Sequence, residues 1–249
     1  GILKPALRWR RPCTTSLQLP SVPDSVSAAV GSAVARELVP REAVLIDTRE
    51  GAEAALPELL LARLLGIDCE GVALGRWGRL CLLQVATPKR VYLFDALCEG
   101  VIEAIRPALS GGSAAVKVMH DCREDASALL SQFDVSLSGV FDSQVAHTML
   151  LEKEAIRPFQ ISLNELLKST LQLENEKQVS LGHRMKEDPN IWFYRPLPDD
   201  LTAYAAQDVM YLPLLHRKLC DSLGEPSGGG VLARSQRYVD YAKMNLHLP

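Results

Sequence analysis

Apolar residues recur with two different periods along the chain, and the switches between them outline alternating strands and helices. Before about residue 42 the pattern is weak: prolines and glycines interrupt an extended stretch, with a short helix expected over residues 25–37. An apolar run at 43–46 then reads as a strand ending at Asp47, and Thr48 stands where an N-cap opens a helix running towards Arg63. Residues 64–70, 79–86 and 90–94 read as three strands of a meander, the last two separated by a turn around Pro88. A helix over 99–109 is closed by Gly111 and Gly112, and a buried strand at 115–119 leads into helical spacing at Ala126, Leu129, Leu130 and Phe133. Further on, a strand edge at 140–142 precedes helices over 144–151 and 163–170, the second opened by Ser162. Residues 174–190 are polar and show no clear period. One long helix is expected over 198–219 with Asp199 or Asp200 as its cap, followed by a flexible GEPSGGG linker at 224–230 and a short helical tail. A mixed sheet with helices around it places the chain in the α/β class.

The 249 residues allow one large domain or two small ones, and 47% apolar with 23% charged residues is a globular composition. The expected division is a basic arm over 1–40, a core domain over 41–222, and a linker with a tail over 223–249. Apolar stretches such as 54–65 are broken by Glu58 and Arg63, well short of the roughly 18 residues of a membrane span. Six cysteines without a CxxC pair read as reduced, buried thiols of an intracellular chain, with organelle, nucleus and cytoplasm all open. The net charge of −3 hides an asymmetry. Residues 1–23 carry Lys4, Arg8, Arg10 and Arg11 and no acid, which leaves 23 basic against 30 acidic side chains in the rest. Such an arm, with Trp9 among its cations, suits phosphates or a docking partner, and equally a solvated terminus or a transit-peptide remnant.

Three carboxylate motifs carry the chemistry. Asp68 and Glu70 lie two apart in an otherwise apolar strand, hence on one face, although an isolated pair of this kind is ordinarily a solvated strand end. Asp125 follows the strand at 115–119 within His120-Asp121-Cys122-Arg123-Glu124-Asp125, near a sheet edge where α/β proteins bind ligands, and also where a first helical turn recruits acids. His120 is read as a strand-end histidine within reach of a nucleic acid. Tyr204 and Asp208 lie four apart on the last long helix, so they share a face. Converging carboxylates suit hard divalent cations such as Mg²⁺ or Mn²⁺, and two such ions about 4 Å apart activate a water against a phosphodiester. The phenol adds a group that orients that water.

The order DxE, D, YxxxD resembles the tyrosine branch of the DEDD superfamily of 3′–5′ exonucleases. Ile67-Asp68-Cys69-Glu70-Gly71 with Gly78-Arg79-Leu80-Cys81-Leu82-Leu83-Gln84 is similar to the first motif of RNase D-like proteins. Val118 through Asp125 is similar to the second, Phe141-Asp142-Ser143-Gln144 to an FDTQ-type segment, and Trp192-Phe193-Tyr194-Arg195-Pro196-Leu197 with Tyr204 through Leu212 to the third and its lead-in. The likeness covers about residues 42 to 222, and the DCEG, HDCR and DPNIWFYRP wording is most similar to exonuclease 3′–5′ domain-containing proteins. The resemblance implies an RNase H-like mixed sheet flanked by helices and two ions. The first ion would be held by Asp68, Glu70 and Asp208, the second bridged by Asp68 with help from Asp125. It implies that Tyr204 positions the nucleophile and that the substrate is the 3′ end of single-stranded nucleic acid, RNA by preference. A non-catalytic RNA-binding subunit of a ribonucleoprotein assembly is the alternative, with the arm Lys4, Arg8, Arg10 and Arg11 as the contact to RNA or to a partner. Gly71, where relatives commonly carry Thr or Phe, and the 27 residues after Ser222, too few for an RNase D-type helical module, depart from the pattern.

Overall fold

The computed structural model describes residues 16–173 and 177–244. The cations of the arm, Lys4, Arg8, Arg10 and Arg11, lie outside the described residues. Strand β1 (Ser16–Gln18) leads through helices α1 (Asp24–Val30) and α2 (Ser32–Leu38) to β2 (Glu42–Ile46). The single helix expected over 25–37 is therefore two, broken at Gly31. Thr48 caps α3 (Arg49–Leu61) as expected, its hydroxyl accepting from the Gly51 amide at 3.1 Å. The antiparallel meander follows as β3 (Leu64–Val72), β4 (Arg79–Ala86) and β5 (Val91–Asp95). After α4 (Val101–Leu109), β6 (Val116–Met119), α5 (Arg123–Phe133) and β7 (Val140–Asp142) add the parallel half of the sheet beside β3. Helices α6 (Ser143–Lys153), α7 (Leu163–Leu171) and α8 (Lys177–Glu187) and a 3₁₀ turn (Ile191–Phe193) precede α9 (Asp199–Met210), α10 (Leu212–Leu223) and α11 (Gly229–Met244).

Among the described residues the strands lie in the order β1-β2-β5-β4-β3-β6-β7, a mixed α/β sheet. The period-two alternation sends Leu82, Leu93, Val118 and Phe141 to one face, under α6, α9 and α10. It sends Leu65, Ile67, Leu83 and Phe94 to the other, under α3, α4 and α5. Both faces are covered, which is why the central strands read as nearly continuous apolar runs.

Further expectations change. The long helix at 198–219 is two helices meeting at Tyr211, because Pro213 lacks the amide that would bond the Val209 carbonyl and sits in the first turn of α10, where a proline is tolerated. The N-cap position of α9 is Pro198 rather than Asp199 or Asp200, which lie in its first turn and favour the positive end of the helix dipole. The helical tail is longer than expected and begins inside the expected linker. Helix α11 runs for 16 residues and straddles the β7 edge, with Val231 buried in one apolar layer and Val239 and Ala242 in the other. Its Ser235 hydroxyl accepts from the Asp142 amide at 3.0 Å and donates to the Val231 carbonyl at 2.8 Å, so an amide of the edge strand is satisfied by a helix. At the opposite edge, β1 pairs antiparallel with β2, so residues within the expected arm belong to the sheet.

Helix α9 comes unusually close to β3. A Cβ at Gly66 would lie 2.6 Å from the Val209 carbonyl, 3.1 Å from Leu212 Cβ and 3.2 Å from Pro213 Cδ. Two of these atoms belong to the α9–α10 junction that Pro213 creates, and none sits at the end of a flexible side chain. Gly66→Ala is therefore expected to destabilise the chain by about 1–3 kcal/mol through overpacking, read as a fall of several degrees in the thermal midpoint. An unchanged midpoint would show that α9 is not seated on β3 at this point.

Candidate active site

Strand β3 places Gly66, Asp68 and Glu70 on the face that α9 covers, and α9 brings Asp208 down onto them. One ligand oxygen from each of Asp68, Glu70 and Asp208 lies within 4.8 Å of the others. Asp208 is buried, and Asp68 and Glu70 are half-buried. Just past Glu70 the β3–β4 register shifts, leaving Cys81 as an extra residue on β4. Bulges of this kind re-aim neighbouring side chains and are frequent beside active sites. Gly71 belongs to this bulge: a Cβ there would stand 2.2 Å from the Arg79 carbonyl. A side chain there would collide with the β4 backbone.

Crowding and burial push the carboxyls towards their protonated forms. Burial lifts Asp68 to about 7, opposed by the Cys69 amide. Glu70 is raised well above the carboxylate range by burial and then by the charges of Asp68, Asp208 and Asp125. Among the described residues, no basic side chain contributes to either shift. Buried like charges without a cation are unfavourable, and oxygen donors gathered in this way suit a hard divalent ion. Tyr204, one turn before Asp208, hydrogen-bonds to it, and burial with the nearby carboxylates raises its phenol so that the proton stays on at neutral pH. The Trp192 ring packs beside Tyr204, with centroids 6.0 Å apart.

Asp125 approaches from the opposite side of the strand. It is buried on α5 and hydrogen-bonds with the thiol of Cys69, whose side chain alternates away from Asp68 and Glu70. Burial and the charge of Asp68 raise it well above its ordinary range. It therefore borders the three-carboxylate cluster without forming part of it.

A model of the 3′–5′ exonuclease domain matches residues 43–223. The chain belongs to this exonuclease family. EXD1 of Danio rerio, a piRNA biogenesis protein, is 35% identical over 196 residues, covering 72% of this chain and 50% of that protein. Ribonuclease D of Gluconacetobacter diazotrophicus is 30% identical over 181 residues, 72% of this chain and 43% of that protein. The structure of Trypanosoma brucei RNase D in complex with RNA U12 superposes with a TM-score of 0.72 at 28% identity, covering 86% of this chain and 74% of that one. The chain spans half or less of the length of these two curated relatives.

Two residues that the sequence motifs contained but did not explain hold the exonuclease site together. Asp142, fully buried at the end of β7, accepts from the amides of Asp121 at 3.1 Å, Cys122 at 2.8 Å and Gln144 at 2.9 Å. It caps α6 and also fixes the turn from which α5, and so Asp125, departs. An aspartate at a strand end before a helix is a signal for a cap that the motif reading did not use. Arg195 grips Asp95 with two bonds, Nε to Oδ2 at 2.6 Å and Nη2 to Oδ1 at 2.8 Å. It also donates to the carbonyls of Cys81, Trp192 and Tyr194, each at 2.9 Å. This largely buried pair ties the Trp192 turn to the bulge and so sets the wall behind Tyr204. Sequence alone gave Asp95 no signal, because its partner lies 100 residues away.

His120, expected as a nucleic-acid contact, is engaged at both ring nitrogens. Its Nε2 donates to the Ile161 carbonyl and its Nδ1 meets the Ser143 hydroxyl, each at 2.9 Å. The ring thus pins the 154–161 segment to α6.

The raised Asp68 value yields a signed prediction. In the metal-free folded chain this carboxyl holds a proton that the unfolded chain releases above its ordinary value of 3.8, so the stability it contributes is lost as pH rises through about 7. In EDTA the chain is expected to melt at a lower temperature at pH 8 than at pH 5.5. Added Mn²⁺ should raise the midpoint more at pH 8 than at pH 5.5, because binding requires ionised carboxylates. A melting temperature that climbs with pH in EDTA contradicts this assignment.

Proposed function

We propose that the chain is a divalent-metal-dependent 3′–5′ exonuclease that hydrolyses the terminal phosphodiester of single-stranded RNA. The observation that carries this reading is the convergence of Asp68, Glu70 and Asp208 oxygens within 4.8 Å beside a hydrogen-bonded Tyr204. The RNA complex of the T. brucei RNase D neighbour supports RNA as substrate class. Asp68, Glu70 and Asp208 would hold one Mg²⁺ or Mn²⁺, and Asp68 with Asp125 a second. Bound there, the ions lower the pKa of water and stabilise the leaving oxygen. The chain's own residues do the rest. Tyr204 keeps its phenolic proton and orients the attacking water, Trp192 fixes the phenol ring, and α9 excludes solvent from one side of the carboxylates.

Asp68→Asn and Asp208→Asn are each expected to lower 3′-end degradation of a labelled oligoribonucleotide roughly a thousandfold, equivalent to about 4 kcal/mol of transition-state stabilisation. Tyr204→Phe keeps the ring and removes the orienting hydroxyl, so turnover should fall about 10²- to 10³-fold with little change in folding or metal affinity. Wild-type rates in folded variants, or RNA binding by the parent chain without metal-dependent cleavage, would favour the non-catalytic binding subunit.

The arm supplies long-range attraction in this reading. Replacing Lys4, Arg8, Arg10 and Arg11 with Gln leaves β1 untouched. It should weaken RNA binding and reduce the slope of log affinity against log salt by up to about 3, while cleavage of a short oligonucleotide at saturation is retained. An unchanged slope accompanied by loss of a protein complex would make the arm a protein-docking element.

A further inference from the structure

The hairpin between β3 and β4 begins two residues beyond Glu70 and carries an aromatic side chain for which the fold has no internal use. Trp77 is 79% exposed, against 3% for Trp192. The segment bearing it is nevertheless firmly held. Ser131 Oγ donates to the Arg76 carbonyl at 3.2 Å, and Gln132 Nε2 donates to the Gly75 carbonyl at 3.3 Å. Gln132 Oε1 accepts from the Leu80 amide at 3.0 Å, closing the base of the loop. The Arg76 guanidinium lies over the indole, 4.6 Å from its centroid. A large apolar ring is thus kept in solvent on an ordered support, and the cation against it suits a polyanion.

Resting on the exonuclease reading, we propose that Trp77 is a stacking platform for a base of the single-stranded RNA upstream of the cleaved phosphodiester, with Arg76 facing the adjoining phosphates. Single-stranded nucleic acids are gripped in this way, by aromatic faces set beside cations. Helix α5 links the two places: it carries Asp125 near its start and holds the loop through Ser131 and Gln132. The loop therefore stands beyond the nucleotide that occupies the carboxylates and meets a base further upstream. An ordered support means that little freedom is lost on binding. The site would therefore measure length: a dinucleotide reaches the carboxylates without touching Trp77, and a longer strand gains the stack.

The test measures binding of fluorescein-labelled oligouridylates of 2 to 10 nucleotides by anisotropy in EDTA, where the substrate stays intact, for the wild-type chain, Trp77→Ala and Trp77→Phe. Trp77→Ala is expected to lose about 5- to 100-fold in affinity for strands of four or more nucleotides, with the dinucleotide unaffected and Trp77→Phe close to wild type. A single abasic site moved along the strand should weaken the wild-type complex most at one position, and at that position should have no effect on Trp77→Ala. Equal affinity of Trp77→Ala and wild type at all lengths overturns the proposal. So does a loss that includes the dinucleotide, or an abasic profile unchanged by the substitution, or a change of oligomeric mass without a change in RNA affinity. The activity reading fails by a separate measurement, the absence of metal-dependent cleavage, which leaves these binding outcomes readable.

Discussion

Where the backbone of β3 passes Gly66 it meets the carbonyl of Val209 and the first turn of α10 with no side chain between them. That contact does what the carboxylates cannot do for themselves. The charges of Asp68 and Asp208 both raise Glu70, so attraction among the three carboxylates does not assemble the cluster. The assembly is set by a steric seat one peptide away from Asp208 and two residues, about 7 Å, from Asp68. Pro213 completes it by ending α9 where the seat lies.

Two polar knots complete the frame, and both are buried. Asp142 satisfies several amides at once, so the turn into α5 is fixed by hydrogen bonds to a single carboxylate. Arg195 and Asp95 form an ion pair whose remaining donors all find carbonyls. A buried pair is retained at little net gain over apolar packing, but removing one partner costs about 3–5 kcal/mol because the other charge is left uncompensated. Fixed position, more than stability, is what these knots contribute to the site.

Much of this was legible in the sequence for an identifiable reason. Strands β3 to β7 and helices α3 to α6 match the expected elements because their period is strong and their ends are marked by Thr48, Asp142 and glycines. The three-carboxylate cluster followed from spacing on a strand and on a helix, together with the family resemblance. What stayed hidden depends on contacts distant in sequence. The α9–α10 break was masked by the continuous apolar stripe from Leu201 to Leu215, although Pro213 was in view. Helix α11 looked like a tail because its apolar residues serve two different layers and so form no single stripe. The hydrogen bond between Asp125 and Cys69, a residue of opposite parity to Asp68 and Glu70 on the strand, could not be read from motif spacing.

The placement of α11 has a mechanical meaning. It is bound to the outer edge of β7 through Ser235, and the amide it bonds belongs to Asp142, the same residue that holds the turn leading to Asp125. Tension applied at the C-terminal end is therefore borne first by this helix, which can peel away turn by turn from a sheet whose strands must otherwise shear together. The load path from that end runs through the buried contacts of Val239 and Ala242 and the Ser235–Asp142 hydrogen bond into the scaffold of the acidic site. A tether or partner pulling on the tail would loosen the approach to Asp125 before it disturbed Asp68, Glu70 or Asp208.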